Sequence, residues 1–197
     1  MQKNLTFAFA FGILFLETEG CGIKAKNMSL CGLFAALLAI CAWICVPVAD
    51  TVITLQTFAL FLCLRTLGGK RGFASTVVYL LLGAVGLPVF SGFRGGIGTL
   101  LGVTGGYLTG FLFTAVFYWL LTALAGNTPR VQLLALIGGL LLCYAFGSLW
   151  FYHGYLSSGS PVSMGLLLTK CVLPYLLPDG IKLVLAWQLS KKLRRFV

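Results

Sequence analysis

The chain has 197 residues, of which 59% are Ala, Val, Ile, Leu, Met, Phe, Trp, Tyr or Cys and only 9% are charged. A soluble domain of this size carries roughly 25% charged residues, so no water-facing surface can be built from this composition; 25 Gly, 16 Phe and a mean hydropathy of +1.02 exclude disorder and a coiled coil as well. A formal charge of +10, from 14 Lys+Arg against 4 Asp+Glu, would suggest nucleic acid in a soluble protein, but an apolar chain of this kind is an integral membrane protein.

In chain order, residues 1–27 fit a span poorly. The apolar run Leu5 to Leu16 is short and is followed by Glu17 and Glu19. Thr18-Glu19-Gly20-Cys21 is a poor cleavage site for a signal peptide. The reading is a peripheral or non-native extension over 1–27, with the membrane domain over 28–197. Beyond it, Asn27 to Ala49, Gly72 to Phe93, Gly95 to Pro129 and Val131 to Thr169 carry no charge. A helix needs about 20 apolar residues to cross ~30 Å of hydrocarbon, with its backbone groups satisfied internally. These stretches predict helices over 29–46, ended by Pro47; over 55–67, finishing at Gly68-Gly69; and over 73–87, stopping at Pro88. Further helices are expected over 99–124, 131–152 and 178–193, with loops at 90–98 and 153–161. The expected fold is all-α with six transmembrane helices.

The basic residues agree with that count. Six spans put both termini on one side with the loops around 68–71 and 126–130. Those regions hold Lys24, Lys26, Arg65, Lys70, Arg71, Arg130, Lys191, Lys192, Arg194 and Arg195. The other side holds Arg94, Lys170 and Lys182, with the acids Asp50 and Asp179. An excess of Lys and Arg marks the cytoplasmic face, so both termini are expected inside. The charge then serves orientation and attraction to anionic lipid, and nucleic acid is not an expected partner. The cysteines at 21, 31, 41, 45, 63, 143 and 171 form no CxxC pair. Cys41 and Cys45 would share a helix face, but no His or carboxylate joins them to hold a metal. They are read as packing residues.

Ionisable residues at membrane depth are functional candidates. In Pro178-Asp179-Gly180-Ile181-Lys182, proline suits a first helical turn and places Asp179 and Lys182 on one face. About 13 residues, or ~20 Å of helix, separate Pro178 from Lys191. Both charges should therefore lie below the outer surface, either pinning the last helix as a self-contained pair or lining a pocket. Arg94, in the expected outer loop, either meets a lipid headgroup or forks onto a carboxylate, and the neighbouring glycines let backbone approach a ligand. Thr54, Gln56 and Thr57 put hydroxyls and an amide at the outer mouth, where an extended 52–57 segment could fold back over a cavity. Gly102-Val103-Thr104-Gly105-Gly106-Tyr107 either opens the fourth helix or serves close packing. Four separated stretches thus converge on one side. His153, in the other outer loop, has no carboxylate partner nearby in sequence. No Walker A, GxSxG or HExxH pattern occurs, so an enzyme is not expected. Ala35-x-x-x-Ala39 is a small-residue stripe suited to helix approach, internal or with a partner.

Taken together, AxxxA, Ile53-Thr54-Leu55-Gln56-Thr57, Tyr79-Leu80-Leu81-Leu82-Gly83-x-x-Gly86-Leu87-Pro88-Val89-Phe90, Arg94-Gly95-Gly96, Thr104-Gly105-Gly106-Tyr107-x-x-Gly110-Phe111 and Leu177-Pro178-Asp179-x-x-Lys182 resemble the BioY family over about residues 29–190. These are the biotin-specific substrate-binding (S) components of energy-coupling factor (ECF) transporters. The resemblance implies a six-helix S-component fold in the cytoplasmic membrane and a biotin pocket near the extracellular side. It also implies a transmembrane coupling protein and two ATPase subunits as partners, with Ala35 and Ala39 facing the coupling protein. Val52 and Val103 stand where the family usually has proline. Biotin needs acceptors for its ureido N–H groups, which Asp179 offers, and donors for its carbonyl and carboxylate. Lys182 and Arg94 supply those donors, in an order left open. Phe90, Tyr107 and Gly92 would wall the apolar ring; Thr54, Gln56, Thr104 and Gly105 complete the expected site, with no cofactor and no metal. The competing readings are an S component for riboflavin or thiamin, a solitary biotin carrier without ATPases, and a small intramembrane enzyme or structural subunit.

Overall fold

A computed structural model of the chain describes residues 25–48, 51–157, 169 and 172–195. The expectations for Lys24, Asp50, Lys170, Cys21, Cys171 and residues 1–24 lie outside the described residues. Helix α1 spans Ala25–Trp43 and is followed by strands β1 (Cys45–Val48) and β2 (Thr51–Thr54). Then come α2 (Gln56–Leu67), α3 (Gly69–Ala84), the short α4 (Ile97–Leu101), α5 (Gly105–Leu124), α6 (Pro129–Ser157) and α7 (Leu173–Leu193). Three of these helices contain segments long and apolar enough to cross a membrane: Lys26–Trp43, Gly105–Leu124 and Pro129–Gly154.

Helix α2 lies at the centre, packed by α1, α3 and α7, and is buried from Ala59 to Leu67. Helices α5 and α6 form the other tight pair, and α3 joins the two groups by packing on α5. Small residues set the α5–α6 distance. A Cβ added at Gly106, Gly110, Gly139 or Gly147 would collide with Trp150, Cys143, Thr114 or Tyr107 respectively. Close backbone approach is a common way for helices to associate where lipid removes the hydrophobic drive. The outward faces carry exposed Leu33, Leu134, Leu141, Leu149, Val184 and Leu185, which suits hydrocarbon rather than water.

Several expected boundaries move, each for a local reason. The first helix stops at Trp43, not 46, because Val46 precedes a proline and is biased towards extended backbone. Cys45 therefore leaves the face of Cys41: it is exposed on β1 while Cys41 is buried. The fold is mostly helical, as expected, with one short hairpin added: β1 and β2 pair antiparallel with Cys45 opposite Thr54 and Val48 opposite Thr51. The third helix starts at Gly69 rather than 73, after Gly68 turns the chain at φ 82°. The fourth is broken into α4 and α5 around Gly102–Thr104. The fifth continues to Ser157, so His153 is helical and not in a loop. The sixth starts at Leu173, with Pro174 in its first turn and Pro178 inside it.

Candidate ligand-binding site

Helix α7 carries the first part of the site. Because it begins at Leu173, Asp179 lies about 9 Å along the helix axis, and both Asp179 and Lys182 are buried (1% and 6% exposed). Lys182 Nζ is 2.6 Å from Asp179 Oδ1. Thr57, in the first turn of α2, donates to the same oxygen at 2.8 Å and accepts from Lys182 Nζ at 3.1 Å. Tyr144 of α6 donates to Asp179 Oδ2 at 2.5 Å. Two charges removed from water are costly unless paired and further hydrogen-bonded, and this cluster meets both conditions.

The cluster has a definite remaining capacity. A carboxylate has about four lone-pair sites, and an ammonium has three N–H donors. Among the described residues, Asp179 receives three hydrogen bonds and Lys182 makes two, leaving one acceptor position on Oδ2 and one donor on Nζ. That is the complement of an N–H beside a C=O, the edge of an amide or a urea.

A second relay ties the β1–β2 hairpin to the loop that follows α3. Thr54 Oγ1 donates to Gln56 Oε1 (3.0 Å), Gln56 Nε2 to the Tyr79 hydroxyl (2.6 Å), and Tyr79 to the Val89 carbonyl (3.1 Å). Phe90 is buried edge-on against Tyr79, with ring centroids 5.6 Å apart. It occupies the space over Gly83, where a Cβ would enter its ring. Phe90 N–H donates to the Arg94 carbonyl at 2.9 Å, closing a tight turn through exposed Gly92 (φ 71°) and Phe93 (φ 56°). Left-handed backbone at Phe93 is strained; its ring stacks on Trp43 at 5.1 Å, and Trp43 Nε1 donates to the Pro88 carbonyl at 2.8 Å.

Arg94 is exposed beside a depression of about 280 Å³ that it lines with Gly98, Thr99, Gly102, Val103 and Thr104. Gly105 lets α4 fold back onto the start of α5, since a Cβ there would strike the Leu100 carbonyl. Tyr107 is half-buried, lies over Gly147 and has its hydroxyl 3.4 Å from Ser148 Oγ. The expected residues thus fall into separate groups: Asp179 with Lys182; Thr54 and Gln56 near Phe90; Arg94 with Thr104; and Tyr107 with Ser148. Ala35 and Ala39 are buried, and with Gly32, Trp43, Val78 and Leu82 they line an apolar groove of about 410 Å³ between α1 and α3.

Tyr144 and Ser148 are not among the residues that the sequence singles out. Their signal is faint: two polar tips one helical turn apart within a continuous apolar run. Tyr79 belongs to a motif, but its bridging role depends on Gln56 being carried across from another helix.

An apolar helical bundle around buried, mutually compensated charges defines a membrane protein with a polar interior site. Its fold is that of an S component: the structure matches the crystal structure of the S-component for biotin from an ECF-type ABC transporter with a TM-score of 0.75 and 25% identity, covering 90% of this chain and 95% of that one. The BioY family model matches residues 10–197. The chain is 37% identical over 170 residues to the biotin transporter BioY of Thermotoga maritima, covering 86% of this chain and 96% of the relative. It is 32% identical over 163 residues to the biotin transporter BioY2 of Lactococcus lactis, covering 82% and 86% respectively. This chain belongs to the BioY family.

Proposed function

We propose that this protein binds biotin and serves as the substrate-binding S component of an ECF-type vitamin transporter. The observation that carries the reading is the buried Asp179–Lys182 pair with one acceptor and one donor to spare. A ureido edge fills both: its N–H donates to Asp179 Oδ2 and its carbonyl accepts from Lys182. Arg94, exposed beside the depression at Thr104, then takes the carboxylate, where a guanidinium fork fits. Phe90, Gly92 and Tyr107 face the apolar ring, with Thr54, Gln56, Thr104 and Gly105 shaping the mouth. The match to a biotin S-component and the names of the Thermotoga and Lactococcus relatives support the same ligand.

In this reading six helices (α1, α2, α3, α5, α6 and α7) cross the cytoplasmic membrane with both termini inside, and the membrane domain expected over 28–197 reaches back to the start of α1 at Ala25. The protein performs no chemistry of its own. Its partners are a transmembrane coupling protein, received along the groove at Ala35 and Ala39, and two ATPase subunits that hydrolyse ATP. Equilibrium binding of labelled biotin to the purified protein, in competition with unlabelled biotin, riboflavin and thiamin, tests the assignment. Saturable binding displaced by biotin alone is the expected result. Displacement by another vitamin, or no saturable binding, overturns it.

A further inference from the structure

From the way Asp179 is held, we infer that Tyr144 is a positioning residue for ligand recognition, acting through that carboxylate. The inference rests on the biotin reading and extends it to a residue on a different helix. Helix α6 packs on α5, whereas α7 packs on α2. Tyr144 reaches from the first pair to the second, with its hydroxyl 2.5 Å from Asp179 Oδ2. Thr57 and Lys182 both bond Oδ1, and among the described residues Tyr144 alone bonds Oδ2, the oxygen left for the ligand. Rotation about the carboxylate's terminal torsion is broad and nearly two-fold when nothing restrains it. Tyr144 supplies the restraint on the Oδ2 side and fills one of its two lone pairs. It thereby presents a single acceptor beside the free N–H of Lys182. Without the hydroxyl, Oδ2 offers two acceptor positions and the carboxylate plane is held from the Oδ1 side alone, so the match to one N–H next to one C=O is loosened.

The experiment is a double-mutant cycle on the purified full chain. Labelled-biotin dissociation constants are measured for the parent, Tyr144→Phe, Asp179→Asn and the double variant, up to millimolar biotin. Phenylalanine retains the ring and removes only the donor. Tyr144→Phe should raise Kd about tenfold, but less than about twofold in the Asp179→Asn background, because the oxygen it orders is gone. The ratio of affinities for biotin and biotin methyl ester should not change, since Tyr144 does not act on the carboxylate end. Tyr144→Leu, which also removes the donor without adding a polar group, is the second variant should the phenylalanine protein not fold, and its effect must likewise vanish in the Asp179→Asn background. An unchanged or tighter Kd in the folded Tyr144→Phe protein, or equal losses in both backgrounds, overturns the inference. A parent protein without affinity for biotin overturns instead the reading beneath it, and does so before any variant is compared.

Discussion

Asp179→Asn separates what the buried pair does for folding from what it does for binding. The two side chains are 2% and 8% exposed and their charges are 2.6 Å apart. Removing the anion leaves the Lys182 ammonium buried without compensation, a change that destabilises by about 3–5 kcal/mol in comparable cases. Against a total stability on the order of 5–15 kcal/mol, the variant is expected to survive purification with a clearly lower unfolding temperature. Its amide keeps one acceptor, which the Thr57 hydroxyl and Lys182 will claim. The NH₂ then points to where Oδ2 was, next to Tyr144, and confronts a ligand N–H with another donor. Losing a charge-assisted hydrogen bond of about 1.5–3 kcal/mol raises Kd roughly tenfold to a hundredfold. The decisive variant combines Asp179→Asn with Lys182→Met. With both charges gone most of the lost stability returns, since a buried ion pair is seldom better than a neutral replacement. Binding does not return, since acceptor and donor are both missing. Thermal scanning fluorimetry and equilibrium biotin binding on the same preparations read the two quantities. A doubly substituted protein that binds biotin like the parent would show that neither charge contacts the ligand.

Arg94→Gln should leave stability within about 0.5 kcal/mol, as expected for an exposed side chain, while weakening biotin at least tenfold and biotin methyl ester not at all. Equal weakening of both ligands in the same binding assay would remove Arg94 from the carboxylate. Tyr79→Phe strands the Gln56 amide and the Val89 carbonyl and should cost about 1–3 kcal/mol, read as a fall in unfolding temperature; an unchanged temperature would show that the relay is idle. Gly83→Ala drives a methyl into the Phe90 ring and should destabilise by about 1–3 kcal/mol. Adding Phe90→Leu should restore part of that loss, because the smaller side chain vacates the space, and thermal unfolding of the single and double variants checks it.

Much of the helical content is readable because uncharged stretches and prolines mark spans whatever surrounds them. The errors cluster where local signals compete. Pro178 looks like a helix start, yet Pro174 takes that role and α7 carries Pro178 in its interior. The earlier start is what places Asp179 and Lys182 well inside the bundle. Both are buried, as expected, although a span length counted from Pro178 starts at the wrong residue. The hairpin is half legible: an extended 52–57 segment is expected, while the first half of its partner strand, Cys45 and Val46, is absorbed into the predicted first helix. By its place in the sequence Arg65 belongs with the inner-surface charges; it lies buried in the last turn of α2, with Nε donating to Ser190 Oγ at 2.6 Å and its guanidinium stacked on Trp187.

Composition, charge placement and ordered motifs determined by themselves that this chain lives in a membrane, and they picked out Asp179 and Lys182 as unusual there. Those are properties of residue type and spacing, which need no knowledge of neighbours. That the pair is shared with Thr57 and Tyr144 from two other helices, 122 and 35 residues away, follows from the packing of the helices alone. The same packing leaves one acceptor and one donor over. Hydrogen-bond capacity depends on which groups meet in space, and packing helices together creates meetings that no local pattern encodes.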